Sequence, residues 1–349
     1  MKNKVALLIK PNQFEIDFQN INKLEKDFVL VKIFKTGVCG SDLHYFRHGG
    51  LGTFKSKLPL SLGHEASGIV VDRNNTKLKN NSKVIIDPLN HSCCPKSKKN
   101  NPHFCEIWNH KVNICSNGTY LGTSPTPGTF REYISLHKSQ LTICNDNKNF
   151  EYAHLFEPLG IALYTINQAR LNYSKDNNFL IFGSGTIGLL IAEVLKSYGF
   201  KKITIVDKIN YRLKFAKEKL RINALHSNKN TLLGKFNDNF DVVFDTITND
   251  WSFSLTPILL KNLGRMVIVG IPTVDYLRLN PHQLRLKEIE LINVRRSNIK
   301  ISKVLKFFYE NKLNLEKYET HKYKLTDIQK AFDLASNYDD KVLRCSVAG

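Results

Sequence analysis

The chain has 349 residues, 42% of them hydrophobic and 10% aromatic, with 51 basic side chains against 31 acidic ones, a formal charge of +20. That length exceeds one ordinary hydrophobic core and calls for two domains, and that composition excludes a disordered chain. The basic residues are scattered among asparagines and isoleucines, which sets aside an arginine-rich helix, a helix-turn-helix or an RNA-binding aromatic pattern.

No stretch approaches the ~20 apolar residues of a membrane span. The opening Met1-Lys2-Asn3-Lys4 followed by Val5–Ile9 has too short an apolar run, and no small-residue cleavage site, for a secretory signal. A first strand and a cytoplasmic location are the expectation. The seven cysteines, an odd number in such a chain, favour thiols and metal ligands over a disulfide framework.

In chain order, Val5–Ile9 and Phe28–Ile33 read as strands, with no helical period between them. Cys39-Gly40-Ser41-Asp42-Leu43-His44-Tyr45 follows, and then Gly63-His64-Glu65. These segments bring a thiol, two imidazoles, a hydroxyl and a carboxylate into a short span. Thiolate, neutral imidazole and carboxylate are the donors that Zn²⁺ takes in open catalytic sites. Gly40 and Gly63 would supply the tight backbone beside the ligands. A buried free cysteine and a core histidine are the plainer alternative. Ser67–Val71 and Lys83–Ile86 extend the strand pattern across the turn Asn74-Asn75-Thr76. The first part therefore reads as a β-rich, barrel-like domain with its chemistry on loops.

Residues 91–115 hold Cys93, Cys94, Cys105 and Cys115. A closed structural zinc site wants four thiolates, but adjacent Cys93 and Cys94 are poorly placed for one ion. Both a lobe without its zinc and one completed by His91, His103 or His110 stay open. Around 151–170 the pattern turns helical, with Glu157-Pro158 in a first turn where the missing proline N–H is harmless. Glu157 reads either as a carboxylate facing the metal or as a plain N-terminal helix acid.

Asn178–Phe182 is a buried strand, and Gly183-Ser184-Gly185-Thr186-Ile187-Gly188 runs from it into the helical Leu189–Leu195. A G-x-G-x-x-G turn between strand and helix is the dinucleotide fingerprint. Gly183 serves the tight turn, Gly185 the approach of a pyrophosphate and Gly188 the helix packing, while the helix N-terminus faces the phosphates. Ile203–Val206 then ends in Asp207, about 20 residues past the glycines, where a carboxylate binds the adenosine ribose and repels a 2′-phosphate. NAD is expected, with NADP as the alternative because Lys208 and Arg212 lie close by. Strands at 241–244, 265–269 and 288–292 complete a doubly wound parallel sheet over 155–293. After 294, helical stretches at 301–309 and 325–335 and a strand at 341–347 return to the first domain.

A zinc segment before a dinucleotide fold resembles the medium-chain, zinc-dependent alcohol dehydrogenases over almost the whole chain. The carrying motifs are Gly37–Tyr45, Gly63-His64-Glu65, Glu157-Pro158-Leu159 and the glycine turn at 183–188. Gly52-Thr53-Phe54 and Leu62–Gly68 are similar to the polyol branch, which holds sorbitol and xylitol dehydrogenases and L-idonate 5-dehydrogenase. The resemblance implies an α/β architecture: a GroES-like catalytic zinc domain at 1–154 and 294–349, and a Rossmann domain at 155–293. It also implies zinc on Cys39 and His64 with Glu65 and Glu157 as the carboxylates, and a proton relay through Ser41 and His44. Substrate contacts would come from Tyr45 and Arg296, and NAD contacts from Gly183, Gly185, Thr186, Ile187, Gly188, Asp207 and Arg212. The expected reaction is oxidation of a secondary alcohol on a polyol or sugar acid, by a homodimer or homotetramer with no nucleic-acid or membrane partner. Threonine, 2,3-butanediol or another secondary alcohol is the alternative substrate. A non-catalytic nucleotide- or nucleic-acid-binding protein on the same fold is the alternative outside the enzyme class. The departure from the family is the cysteine lobe, which keeps only Cys105 and Cys115 near the usual spacing.

Overall fold

The computed structural model describes residues 2–52, 54–90, 111–115, 118–174 and 177–349. Cys93, Cys94, Cys105, His91, His103 and His110 lie outside the described residues, and so does the question of a second zinc. The chain divides into two compact units, Met1–Gly160 with Asn298–Gly349, and Ile161–Ser297.

In the first unit the longer strands are β1 (Lys2–Lys10), β2 (Gln13–Asn20), β3 (Phe28–Gly37), β4 (Glu65–Asp72), β5 (Lys83–Ile86), β6 (Tyr133–His137) and β7 (Leu141–Ile143). Helix α1 (Gly40–His48) lies between β3 and β4, and α2 (Phe156–Ala169) begins at the end of the first segment. The central strand is β3. It pairs antiparallel with β4 and β6, its end at Gly37 lying opposite Glu65. Alternation along Phe28–Gly37 sends Val29, Val31 and Ile33 into a core with Val70, Val84, Ile86, Ile134 and Leu136.

The second unit alternates strand and helix: β8 (Asn178–Phe182), α3 (Thr186–Ser197), β9 (Lys202–Asp207), α4 (Asn210–Phe215), β10 (Asn223–His226), α5 (Lys229–Phe236), β11 (Phe240–Asp245), α6 (Asp250–Leu259), β12 (Leu260–Ile268), α7 (Pro281–Lys287) and β13 (Glu290–Asn293). All six strands are parallel in the order β10-β9-β8-β11-β12-β13. Phe179, Leu180, Ile181 and Phe182 are fully buried, the apolar run expected of a strand covered on both faces. The strand order reverses beside β8, so the glycine turn stands at the topological switch point.

The C-terminal segment contributes α8 (Ile301–Glu310), β14 (His321–Lys324), α9 (Ile328–Asn337) and β15 (Cys345–Ala348) to the first unit. Strand β15 pairs with β3 on the side opposite β4, and β14 pairs with β15. The expected last strand at 341–347 is shorter and later than the apolar pattern implies, because Lys341–Leu343 form a turn before the ladder begins. Strands β2, β6, β7, β10 and β14 escape the sequence pattern, being short or polar on one face.

A buried charge cluster joins this return segment to β3. Lys35 of β3, 5% exposed, lies 2.6 Å from Glu151 and 3.0 Å from Glu319. Ser346 donates to Glu319 at 2.5 Å, and His154 Nε2 stands 3.5 Å from the same carboxylate. That contact does not keep the imidazole charged, since Glu319 is spent on Lys35 and Ser346. Burial first, and the Lys35 charge second, pull His154 down to about 3. Only the unfolded chain takes up this proton between about pH 6.5 and 3, so the contribution is intact above 6.5 and falls away with acid. We expect about 2 kcal/mol of stability to be lost through His154 between pH 7 and pH 5. Urea midpoints of the wild type and His154→Met at both pH values test this; an equal drop in both proteins counts against it.

Candidate active site

Two backbone segments meet where β3 ends and β4 begins, and one carboxylate ties them. Asp42, 1% exposed, accepts the N–H of Cys39 at 3.0 Å through Oδ2 and the N–H of Gly63 at 3.2 Å through Oδ1. Oδ1 also lies 3.5 Å from His64 Nδ1. Asp42 is thus the third residue of α1, bonding back to the residue before the helix as a capping acid does. It fixes the spacing of Cys39 and His64 and turns the other imidazole nitrogen outward. A carboxylate behind a ligand histidine sets both tautomer and ring direction.

Gly63 adopts φ +93°, and a Cβ there would stand 2.9 Å from Phe130, Thr129 and Thr36. Only glycine fits. Gly40 differs from expectation: its Cβ would meet nothing, because it starts a regular helix. The Cys39–Tyr45 segment is likewise a helix where a loop was expected.

Cys39, His64 and Glu65 place one donor atom each within 4.8 Å of one another. Burial opposes the Cys39 thiolate, but His64 outweighs it by charge and hydrogen bond, leaving the thiol below its ordinary value. Burial likewise opposes a charged His64, and Asp42 and Cys39 outweigh it, raising the imidazole. The set is an oriented group of one thiol, one imidazole and one carboxylate. A thiolate, an imidazole with its far nitrogen held by a carboxylate, and a further carboxylate fit Zn²⁺.

Glu157, at the start of α2, stands outside that 4.8 Å group but close enough to feel the charges of His64 and Cys39. It accepts a hydrogen bond from the Tyr120 hydroxyl at 3.1 Å, and burial pushes it up to about 7. Tyr120 also lies with its ring 5.5 Å from the His64 ring.

Glu65 forms a buried ion pair with Arg344 of the C-terminal segment. The pair lies over Gly37, where a Cβ would collide with Arg344 Nη2 and stand 2.9 Å from Glu65 Oε2. Asp42, Arg344 and Gly37 are the residues that sequence reasoning missed. Asp42 had a local signal, an acid three residues after Cys39. Arg344 had none, since only the β15–β3 pairing brings it to Glu65.

Ser41 Oγ comes within 3.5 Å of His64 Nε2. His44 lies one helical turn along on the same face of α1. Burial first, then His48 and Arg47, lower its pKa, so it is neutral near pH 7 and can accept a proton. Tyr45 is 4% exposed and packs in the core with Phe46, Leu60, Leu62 and Phe332. Its ring anchors α1.

In the second unit Gly183 has φ +95°, and a Cβ on it would meet Thr246 Oγ1 at 2.4 Å; one on Gly188 would overlap the Gly183 carbonyl. A Cβ on Gly185 would meet only Arg212 Nη1, at 3.7 Å. The outer two glycines serve the fold, while the middle one leaves open space above the N-terminus of α3 at Thr186 and Ile187. That space and those free N–H groups suit a pyrophosphate. Asp207 ends β9 and accepts from the Ser184 N–H and hydroxyl at 2.6 and 2.9 Å and from the Ile209 N–H at 2.9 Å. Arg296 follows β13 with φ +55°, a left-handed conformation that a non-glycine residue rarely adopts.

Residues 25–146 match the family model described as the alcohol dehydrogenase GroES-like domain, and residues 186–310 match the one described as zinc-binding dehydrogenase. The chain belongs to the zinc-dependent alcohol dehydrogenase family. This dehydrogenase is 24% identical to sorbitol dehydrogenase of Bacillus subtilis over 99% of its own length and 96% of the relative's. It is 35% identical to a probable D-xylulose reductase A of Aspergillus fumigatus, over 54% of its own length and 51% of the relative's. Its fold matches that of L-idonate 5-dehydrogenase from Escherichia coli with a TM-score of 0.87, covering 100% of this chain and 99% of that one at 23% identity. As a family member it is a zinc- and nicotinamide-dinucleotide-dependent enzyme.

Proposed function

We propose that this dehydrogenase oxidises a secondary alcohol of a polyol or sugar acid to the ketone, with hydride transfer to NAD. The observation that carries the reading is the Ser41 hydroxyl beside the Cys39–His64–Glu65 donor group. Cys39 and His64 would hold the zinc, with Glu65 or Glu157 as the carboxylate. A zinc ion there would supply Lewis-acid polarisation of the substrate hydroxyl. Ser41 takes the hydroxyl proton and passes it outward, and His44, neutral by burial, receives it as the general base. A bound nicotinamide would accept the carbinol hydrogen with its electron pair as hydride, the carbon becoming a carbonyl while the hydroxyl proton reaches solvent through Ser41 and His44. Arg296 is the proposed cation for hydroxyl or carboxylate oxygens of the substrate. Residues 1–154 with 294–349 would make up the catalytic part and 155–293 the NAD-binding part.

Asp207 supports NAD over NADP, since a 2′-phosphate would meet a carboxylate already held by Ser184. We expect Asp207→Ala to raise the NADP-to-NAD ratio of kcat/KM by about tenfold or more, a repulsion of at least ~1.4 kcal/mol removed. Kinetics with both cofactors test this; an unchanged ratio counts against the assignment. A cytoplasmic homodimer or homotetramer acting on small molecules is the proposed setting. Among the described residues no helix is long and apolar enough to cross a membrane.

Absorbance at 340 nm with NAD and a panel of sorbitol, xylitol, L-idonate, gluconate, L-threonine and 2,3-butanediol tests the function. A signal with one polyol or sugar acid, lost on chelation, is the expected outcome. A signal with threonine or butanediol alone moves the substrate class, and failure to bind either zinc or NAD overturns the reading.

A further inference from the structure

Away from the zinc donors, the first unit holds a second concave site. A cavity of about 540 Å³ is lined by the β1–β2 hairpin, the 21–25 connection, the start of β3, the 59–61 and 125–127 turns and β6. None of Cys39, Ser41, His44, His64, Glu65 or Glu157 borders it. Arg131 does, and Arg131 is 9% exposed.

The chemistry of Arg131 is unusual. Among the described residues its guanidinium has no carboxylate partner, and Nε is buried without a hydrogen bond. The neighbouring acid, Glu132, is taken by Lys4, whose Nζ is 3.4 Å from it. Burial alone, with no charged group contributing, draws Arg131 down to about 10. A buried guanidinium is costly unless paired, and one kept only for packing would be replaced by a thioether or alkyl chain at lower cost. A planar fork with open donors matches the oxygens of a carboxylate or phosphate.

The rest of the lining narrows the ligand. Lys23 adds a second cation, Glu25 a single acid, and Asn20, Asn22 and Ser135 add neutral donors and acceptors. The volume is that of a small organic molecule, well beyond a bare ion.

We propose that this cavity binds a small hydroxyl-bearing oxyanion, a sugar acid or a sugar phosphate, with its charged end on the Arg131 guanidinium. The site is separate from the reaction chemistry and does not depend on the substrate assigned above.

The test uses the full-length zinc enzyme saturated with NADH, so that the nucleotide turn is filled, in a buffer free of phosphate. Thermal midpoints are titrated with inorganic phosphate, glucose 6-phosphate, gluconate and uncharged sorbitol. A saturable rise with a charged probe is expected, and Arg131→Gln should weaken the apparent affinity by about tenfold or more. Preference for gluconate or for glucose 6-phosphate tells which source of the oxyanion the site takes. Without any anion, Arg131→Met should raise the midpoint, because an unpaired buried cation is removed. Lys23→Gln, at an exposed position that leaves the core alone, should weaken the same response by a smaller factor. Charged probes that act equally on wild type and Arg131→Gln, or that have no effect up to about 10 mM, overturn the proposal.

Discussion

Replacing Cys39 by serine should strip bound zinc and reduce turnover far beyond the roughly 10–100-fold that loss of an outer partner costs. The hydroxyl keeps the size of the thiol but not its charge, since the thiol is drawn toward thiolate by His64 whereas a serine hydroxyl stays protonated. Asp42→Asn provides the graded comparison. It keeps an acceptor for one backbone N–H but loses the carboxylate behind His64 Nδ1, so a fall of about 10–100-fold in metal affinity or kcat/KM is expected. Zinc content by atomic absorption and kcat/KM for both variants decide the matter. Full zinc and full activity in Cys39→Ser would remove the cluster from the mechanism.

The second large effect is on stability. Lys35→Met should destabilise the protein by about 3–5 kcal/mol, because Glu319, with a fully buried side chain, is left charged without its nearest cation. Lys322 cannot take over completely, since it is half-exposed and already shared with Glu151. Making the partner apolar as well, in Lys35→Met/Glu319→Leu, should recover a large part of the loss, since no uncompensated charge is then buried. Urea unfolding of the wild type, both single variants and the double variant measures the coupling. A Lys35→Met midpoint equal to that of the wild type would mean that the cluster carries no net stabilisation.

Both results depend on the return of the chain's end to its beginning. Strand β15 lies against β3 and delivers Arg344 to Glu65 and Ser346 to Glu319. A truncation that removes Arg344 together with β15 would leave Glu65 without its cation and take the Ser346 hydroxyl from Glu319, which keeps Lys35 beside it.

The sequence by itself determined the parts whose chemistry is local. The glycine turn is legible because strand, turn and helix are contiguous, and tight backbone at Gly183 and Gly188 requires glycine at that spacing. Cys39, His64 and Glu65 are legible because a thiol, an imidazole and a carboxylate at close spacing are zinc donor types, and the structure brings those three together, whereas the relay proposed for Ser41 and His44 rests on the family resemblance. The parallel sheet is legible because strands covered on both faces are nearly continuous in apolar residues. The tertiary structure alone decided what joins distant segments. Asp42 bridges Cys39 to Gly63, Arg344 reaches Glu65 over Gly37, Lys35 meets Glu319, and Arg131 borders a cavity without a carboxylate paired to it. The physical reason is register: sheet pairing sets which residues from remote strands become neighbours, and a buried charge takes its pKa, its partner and its cost from those neighbours.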